Sequence, residues 1–125
     1  SNIAEWEIIR FCTIRNHSVR GGFTKLFKYF LINYNPLSIC TYSDNRFGDG
    51  GVYSNNGFVY QYTTKPGYAW TDTKSMLSRY QCQKSKLPLL LGDKFDSGLS
   101  ESANMFNNKY RRIWDAGHKL FTYIP

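Results

Sequence analysis

Residues 18–31 read Ser-Val-Arg-Gly-Gly-Phe-Thr-Lys-Leu-Phe-Lys-Tyr-Phe-Leu, and this stretch decides the fold. The adjacent glycines, Gly21 and Gly22, free the backbone for a tight turn. The apolar side chains that follow recur at helical spacing and predict an amphipathic helix over residues 22–34. Because the first N–H groups of a helix have no partner inside it, the start of this helix would attract anions.

Two stretches rich in strand formers flank the helix. Residues 5–14 precede it, and the stretch Leu37-Ser38-Ile39-Cys40-Thr41-Tyr42 follows it after the Asn35-Pro36 break. Strand, helix and strand within about thirty residues are typical of a parallel crossover. We predict that residues 5–14 form a central strand, because their apolar side chains fall partly on both sides. Cys40 is predicted to be a small, buried core residue.

Turn signals and alternating apolar residues predict the remaining elements. A short helix precedes Gly57-Phe58, and the turn Lys65-Pro66-Gly67 is predicted to join residues 58–62 and 68–72 as a hairpin. The basic segment from Ser75 to Pro88 is predicted to be helical, and Ser100 to cap a helix that ends near Asn107. A second hairpin is predicted from residues 110–114 and 119–123, around the turn Asp115-Ala116-Gly117.

The bulk composition favours one basic domain with a polyanionic partner. The chain has 125 residues, of which 16 are Lys or Arg and 9 are Asp or Glu, for a net charge of +7. Such an excess is typical of nucleic-acid-binding proteins. Three cysteines without a CxxC pair argue against a disulfide scaffold or a zinc site. With no long apolar run and no signal-peptide pattern, we expect a cytoplasmic location and no membrane partner.

Four motifs carry resemblances to known families. The stretch Tyr53-Ser54-Asn55-Asn56-Gly57-Phe58 resembles the end of the core of the GNAT (N-acetyltransferase-like) superfamily. A closer resemblance is to the GNAT-like domain that follows a Vsr-like nuclease domain in phage-encoded homing-endonuclease-like proteins. It rests on Gly21-Gly22-x-x-Lys25-Leu26-Phe27-Lys28-Tyr29-Phe30, on Tyr42-Ser43-Asp44-x-Arg46 and on Arg112-Ile113-Trp114-Asp115-x-Gly117. It extends over nearly the whole chain, from about Trp6 to Phe121.

The resemblance implies an α/β (α+β) fold with a GNAT-like mixed β-sheet and crossover helices. The predicted first strand begins near the start of this chain, so the N-terminal strands of a full GNAT fold are expected to be missing. The chain would then be a single GNAT-like domain over residues 1–125, or a fragment or split part of a larger protein. The sheet edge left by missing strands would favour a partner.

Our main functional hypothesis is a non-catalytic accessory domain that contacts DNA phosphates through basic residues. Nuclease activity would then belong to a domain that is absent from this chain, and the location would be the cytoplasm of the infected host. No catalytic residue, cofactor or metal ligand is assigned. The basic side chains expected to contact the nucleic acid are Arg20, Lys25, Lys28, Arg79, Lys84, Lys86, Arg111 and Arg112.

Two alternatives from other functional classes stay open. In an acetyl-CoA-dependent N-acetyltransferase, Tyr53 would be the general acid, and the backbone of Gly21 and Gly22 would hold the pyrophosphate. Phe23 occupies a position where that loop has a small residue, and its ring is expected to crowd the pyrophosphate. The other alternative is a phage protein-interaction module that binds a protein partner through an open sheet edge.

Other polar residues receive structural interpretations. Asp44 and Asp49 could hold a divalent cation, but without a third acidic ligand we favour a local network of Asp44 with Arg46 or a capping role. His17 and His118 have no Cys or His at ligand spacing. His118 is predicted to be an exposed turn residue, with a His–Asp general-base pair as the less favoured alternative.

Overall fold

The computed structural model describes residues 2–125 and shows a mixed α+β fold. Within these residues the strands are β1 Trp6–Ile8, β2 Ile39–Asp44, β3 Val59–Thr63, β4 Tyr68–Thr71, β5 Met76–Ser78, β6 Arg111–Trp114 and β7 His118–Tyr123. The α-helices are α1 Gly22–Tyr34, α2 Gly51–Ser54, α3 Leu87–Leu91 and α4 Glu101–Asn107. The strands form two sheets, with the orders β1-β2-β7-β3 and β5-β4-β6.

The chain divides into two compact units. The first unit comprises residues 2–65 and 116–125, and it contains the four-stranded sheet with α1 and α2. The second unit comprises residues 66–115, and it contains the three-stranded sheet with α3 and α4. Each unit has its own cluster of buried apolar side chains.

The parallel crossover predicted around helix α1 is present in the first unit. Strand β1 pairs in parallel with β2, with Trp6 opposite Ile39, and α1 connects the two strands. Helix α1 spans the predicted residues 22–34. Cys40 on β2 has no exposed surface, which confirms its predicted place in the core.

The predicted long central strand at residues 5–14 is wrong. Strand β1 contains only Trp6–Ile8 and, among the described residues, it lies at the edge of its sheet. Beyond Ile8 the chain leaves the sheet, and the Phe11 ring packs edge-on against Phe23 of α1 at 5.4 Å between centroids. Apolar side chains that suggested a central strand therefore either cover the start of α1 or are exposed to solvent, as Ile14 is.

The glycine turn before α1 has two separate structural causes. Gly21 has φ +67°, a left-handed conformation that glycine adopts without steric cost. A Cβ atom at Gly22 would lie 3.1 Å from Cγ1 of Val19, so a larger residue there would push against the preceding segment. Phe23 and Phe27 then point into the core, where they meet Ile39, Phe58 and Phe121.

Both predicted hairpins are wrong, although their strands are present. Strand β3 pairs with β7, from Val59 opposite Thr122 to Thr63 opposite Lys119. Strand β4 instead pairs with β5 and β6, with Tyr68 opposite Trp114. A local turn signal ends a strand, but it does not determine which strand supplies the hydrogen-bonding partner. Here the partners come from distant parts of the sequence.

The predicted helix over residues 75–88 is also wrong. The segment contains β5 and two short 3₁₀ turns, Tyr80–Cys82 and Lys84–Lys86. The Asp72 carboxylate accepts hydrogen bonds from the N–H groups of Lys74 and Ser75, which turns the chain back so that β5 pairs with β4. These hydrogen bonds, with that of Ser75 the strongest, lower the pKa of Asp72.

The prediction for Ser100 is confirmed. Its hydroxyl accepts a hydrogen bond from the backbone N–H of Ala103 at 3.1 Å and caps α4. Helix α4 places Met105 in the core of the second unit, which also contains Trp70, Cys82 and Leu87.

Candidate functional site

Helix α1 and the segment before it form a basic surface in the first unit. No Asp or Glu occurs between Ile8 and Ser43. All the cations of this interval are exposed: Arg10, Arg15, Arg20, Lys25 and Lys28. Lys25 and Lys28 lie three residues apart on α1, so both project from neighbouring positions of the helix surface. Arg10 also lies near carboxylates from outside the interval, since it lines one pocket with Glu7 and another with Asp44 and Asp49.

A second carboxylate-free interval lies in the second unit. Residues 73–92 contain no Asp or Glu, and their cations are Lys74, Arg79, Lys84 and Lys86. Lys84 and Arg79 are exposed, and Lys86 is half-buried. Arg111 and Arg112 begin strand β6 and are both exposed. The second unit therefore holds five of the eight predicted contacts, and the other three lie in the first unit.

Four of the five predicted contacts in the second unit lie against aromatic rings. The Lys86 ammonium lies 3.0 Å from the centroid of the Tyr80 ring. Its hydrogen bond and charge lower the pKa of the Tyr80 hydroxyl. The guanidinium groups of Arg79 and Arg112 lie 5.0 and 4.8 Å from the centroid of Tyr68. Cation–π contacts of this kind restrict a side chain while its N–H groups remain available to an anion.

Hydrogen bonds restrict the two arginines of β6 further. The Nη1 atom of Arg111 donates to the carbonyl oxygens of Phe106 and Tyr110, at 3.2 and 2.8 Å. The guanidinium of Arg111 also lies over the Phe106 ring, 3.9 Å from its centroid. Arg112 donates from Nη2 to the Ser102 hydroxyl. Binding an anion therefore costs these side chains less conformational entropy than it would cost freely rotating arginines.

Sequence analysis identified the eight cations but not the aromatic rings that contact four of them. Tyr68 and Trp70 contact Arg112 because β4 pairs with β6, which places Trp70 opposite Arg112. That pairing was not predicted, so no sequence signal placed the two rings beside this arginine. Phe106 precedes Arg111 by five residues across the end of α4, and the backbone turn there brings them together.

A polar cleft of about 710 Å³ opens in the first unit, where β2 ends and β7 begins. The Asp44 carboxylate accepts hydrogen bonds from Arg46, at 3.1 Å from Nε to Oδ1 and 2.7 Å from Nη2 to Oδ2. These bonds confirm the predicted local network. Asp49 accepts the N–H of Gly51 at 2.9 Å, a capping role at the start of α2. Across residues 2–125, no cluster of three or more His, Cys, Asp or Glu side chains could hold a metal ion.

The predicted turn position of His118 is wrong. His118 is the first residue of β7 and lies opposite Asp44 in the register with β2. This register brings its Nε2 atom to 3.5 Å from Oδ2 of Asp44. Strand β7 pairs with β2 as far as His118, so the predicted turn residues Asp115, Ala116 and Gly117 lie before the strand.

The pairing of Asp44 predicts a pH-dependent contribution to stability. The Arg46 side-chain hydrogen bond, with smaller contributions from its backbone N–H and the nearby His118, lowers the pKa of Asp44 from 3.8 to about 2. A lowered folded-state pKa stabilises the folded protein above pH 4, and this stabilisation is lost as the pH falls towards 2. The free energy of unfolding, measured by urea denaturation, should therefore fall more steeply between pH 5 and 2 in the wild type than in Asp44→Asn.

Arg46→Gln is the control for this prediction, since Arg46 supplies the main cause of the shift. This variant should show a weakened acid dependence similar to that of Asp44→Asn. Identical acid dependence in all three proteins would contradict the assignment.

The residues of the acetyltransferase alternative have structural roles. Gly21 supplies the left-handed turn, and Gly22 gives room to Val19. Phe23 is buried in the core of the first unit. Tyr53 packs edge-on against Phe23, at 5.5 Å between centroids, and also lines the polar cleft.

Comparisons with known proteins give no family assignment. No protein-family model, no curated protein and no solved structure matches this chain. None of the helices described for residues 2–125 has both the length and the apolar character needed to cross a membrane.

Proposed function

We propose that this chain is a non-catalytic, nucleic-acid-associated domain that contacts DNA phosphates through its basic side chains. The observation that carries the proposal is the set of cations in carboxylate-free intervals, most of them exposed, together with the cations held on aromatic rings, which are Arg79, Lys86 and Arg112. Exposed cations bind phosphate oxygens, and the release of counterions from DNA then drives association.

The broader biological setting is part of the same proposal. The three motifs that resemble phage homing-endonuclease-like proteins suggest an accessory domain that tethers or orients a nuclease on DNA in the host cytoplasm. Their residues have definite places in the fold: Gly21 turns into α1, Asp44 pairs with Arg46, and Arg112 lies over Tyr68. In this proposal, cleavage is the work of another domain.

Sequence-independent binding is the mechanism that this arrangement favours. Lysine and arginine contacts to phosphates position a protein on DNA, and they carry no base information by themselves. The rings of Tyr80 and Trp114 are exposed to 67% and 54%, so they add aromatic surface beside the cations. Such rings suit sugar or base contacts at the same interface.

The α1 surface provides the experiment that tests this proposal. The double variant Lys25→Gln/Lys28→Gln removes two cations from the carboxylate-free interval of the first unit. The association constant K for a duplex DNA is measured by fluorescence anisotropy at several salt concentrations. In this variant the slope of log K against log[salt] should be less steep than in the wild type by about 2.

The matched control is Lys65→Gln/Lys94→Gln, which removes the same charge from outside the two intervals. Lys94 has Asp93 and Asp96 as sequence neighbours, so its charge is largely balanced locally. A small change in the control, beside the larger change in the α1 variant, supports the proposal. Equal changes in both variants would indicate a response to net charge alone and would contradict the proposed surface.

A further inference from the structure

The second unit contains a pocket of about 590 Å³ between helix α4 and strands β4 and β6. Its volume falls in the range of pockets that hold small organic ligands, which is roughly 300–1,000 Å³. No carboxylate is among the side chains that line it. The lining offers hydrogen-bond donors and rings together, from Trp70, Ser102, Phe106, Asn107, Arg111 and Arg112.

One wall of the pocket contains a stacked pair. The Arg111 guanidinium lies 3.9 Å from the centroid of Phe106, and its hydrogen bonds to two backbone carbonyls hold it in place. Phe106 remains 57% exposed. Unpaired bases stack on aromatic rings and on guanidinium planes, so a base could extend this stack.

Trp70 and Arg112 contribute to another wall of the pocket. Trp70 is 2% exposed, and its indole N–H has no hydrogen-bond partner among the described residues. Buried polar groups without partners are rare in folded proteins. Arg112 lies over the Trp70 ring at 5.0 Å and donates to Ser102, so this side of the pocket has several N–H and O–H groups close together.

We propose that this pocket binds one unpaired nucleotide of a nucleic acid. The base lies against the Phe106–Arg111 stack, and its phosphate lies against the Arg112 guanidinium and the Ser102 hydroxyl. A phosphate alone would leave the apolar surface of Phe106 uncovered, whereas a nucleotide uses both the ring and the cations. This inference rests on the proposed function and specifies which part of the nucleic acid the second unit recognises.

The test compares two labelled DNA hairpins that share one duplex stem. One hairpin is fully paired, and the other carries a single unpaired thymidine at the stem end. Wild-type protein is expected to bind the second hairpin about tenfold more tightly, the order of magnitude of one stacked base. The variant Phe106→Leu should lose this preference and bind both hairpins alike, and Ser102→Ala, which removes one phosphate contact, should reduce the preference.

Ser85→Ala is the matched control, because Ser85 is exposed and does not line the pocket. It should keep the tenfold preference. Equal binding of both hairpins by the wild type would overturn the nucleotide pocket while leaving the proposed function intact. A Phe106→Leu variant that keeps the preference would also overturn it. Failure of the wild type to bind either hairpin at low salt would overturn the proposed function itself, and with it this inference.

Discussion

In the triple variant Arg79→Gln/Lys84→Gln/Lys86→Gln, the slope of log K for DNA binding against log[salt] is expected to be less steep by about 2–3. Each lost phosphate contact reduces the steepness of this slope by about 0.9. The variant's loss of affinity between 50 and 200 mM salt would then be roughly fortyfold smaller than that of the wild type. The three cations belong to one carboxylate-free interval, and two of them are held on tyrosine rings. Titration of a labelled duplex at several salt concentrations measures the slope.

The triple variant Lys65→Gln/Lys94→Gln/Lys119→Gln removes the same charge and serves as its control. These lysines lie outside both carboxylate-free intervals. We expect their loss to change the slope by less than 1, and thermal unfolding should show that both variants are folded. If the slope changed as much in the control as in the Arg79, Lys84 and Lys86 variant, these three cations would contribute no more to DNA binding than other lysines.

Gly117→Ala is expected to destabilise the first unit by about 3–5 kcal/mol. This loss is the sum of the cost of a left-handed backbone at alanine and the cost of the steric clash of its Cβ atom. Gly117 has φ +79°, and a Cβ atom there would lie only 2.4 Å from the carbonyl oxygen of Thr64. That oxygen belongs to backbone, which cannot rotate away as a side chain can. The strands on both sides are tied, since the N–H of Thr64 donates to the carbonyl of His118 at 2.8 Å. Urea denaturation measures the free energy of unfolding.

Gly21→Ala separates the two causes. Gly21 also has a positive φ, +67°, but nothing lies within 4 Å of a Cβ placed there. Its substitution should therefore cost only the left-handed conformation, about 1–2 kcal/mol. Equal losses of stability in the two variants would show that the clash with Thr64 is relieved by a shift of the backbone.

The parts of the fold that were predicted correctly are formed by residues that are close together in the sequence. Helix α1 has its boundaries where the glycine turn and the Asn35-Pro36 break place them, and Asn35 ends it in a left-handed conformation. The Ser100 cap and the Asp44–Arg46 pair likewise join residues two or three positions apart. Side-chain spacing and local hydrogen bonding are enough to predict such features.

The parts that sequence did not predict depend on partners far apart in the chain. Residues 58–62 and 68–72 alternate in the way that hairpin strands do, and the turn between them contains Pro66 and Gly67. Nothing in that pattern indicates that β3 pairs with β7 or that β4 pairs with β6. The candidate site shows the same limit: the cations were visible in the sequence, whereas the contact of Arg112 with Tyr68 requires the β4–β6 register.

The central claim is that this chain binds DNA through phosphate contacts, and the salt dependence of wild-type binding tests it most directly. The measurement is the anisotropy of a labelled duplex titrated with the protein at 50 and 200 mM salt. We expect a dissociation constant in the micromolar range or tighter at 50 mM, and a steep loss of affinity at 200 mM that corresponds to several released counterions. Weak binding that does not change with salt, or no binding at 50 mM, would contradict the claim despite the net charge of +7.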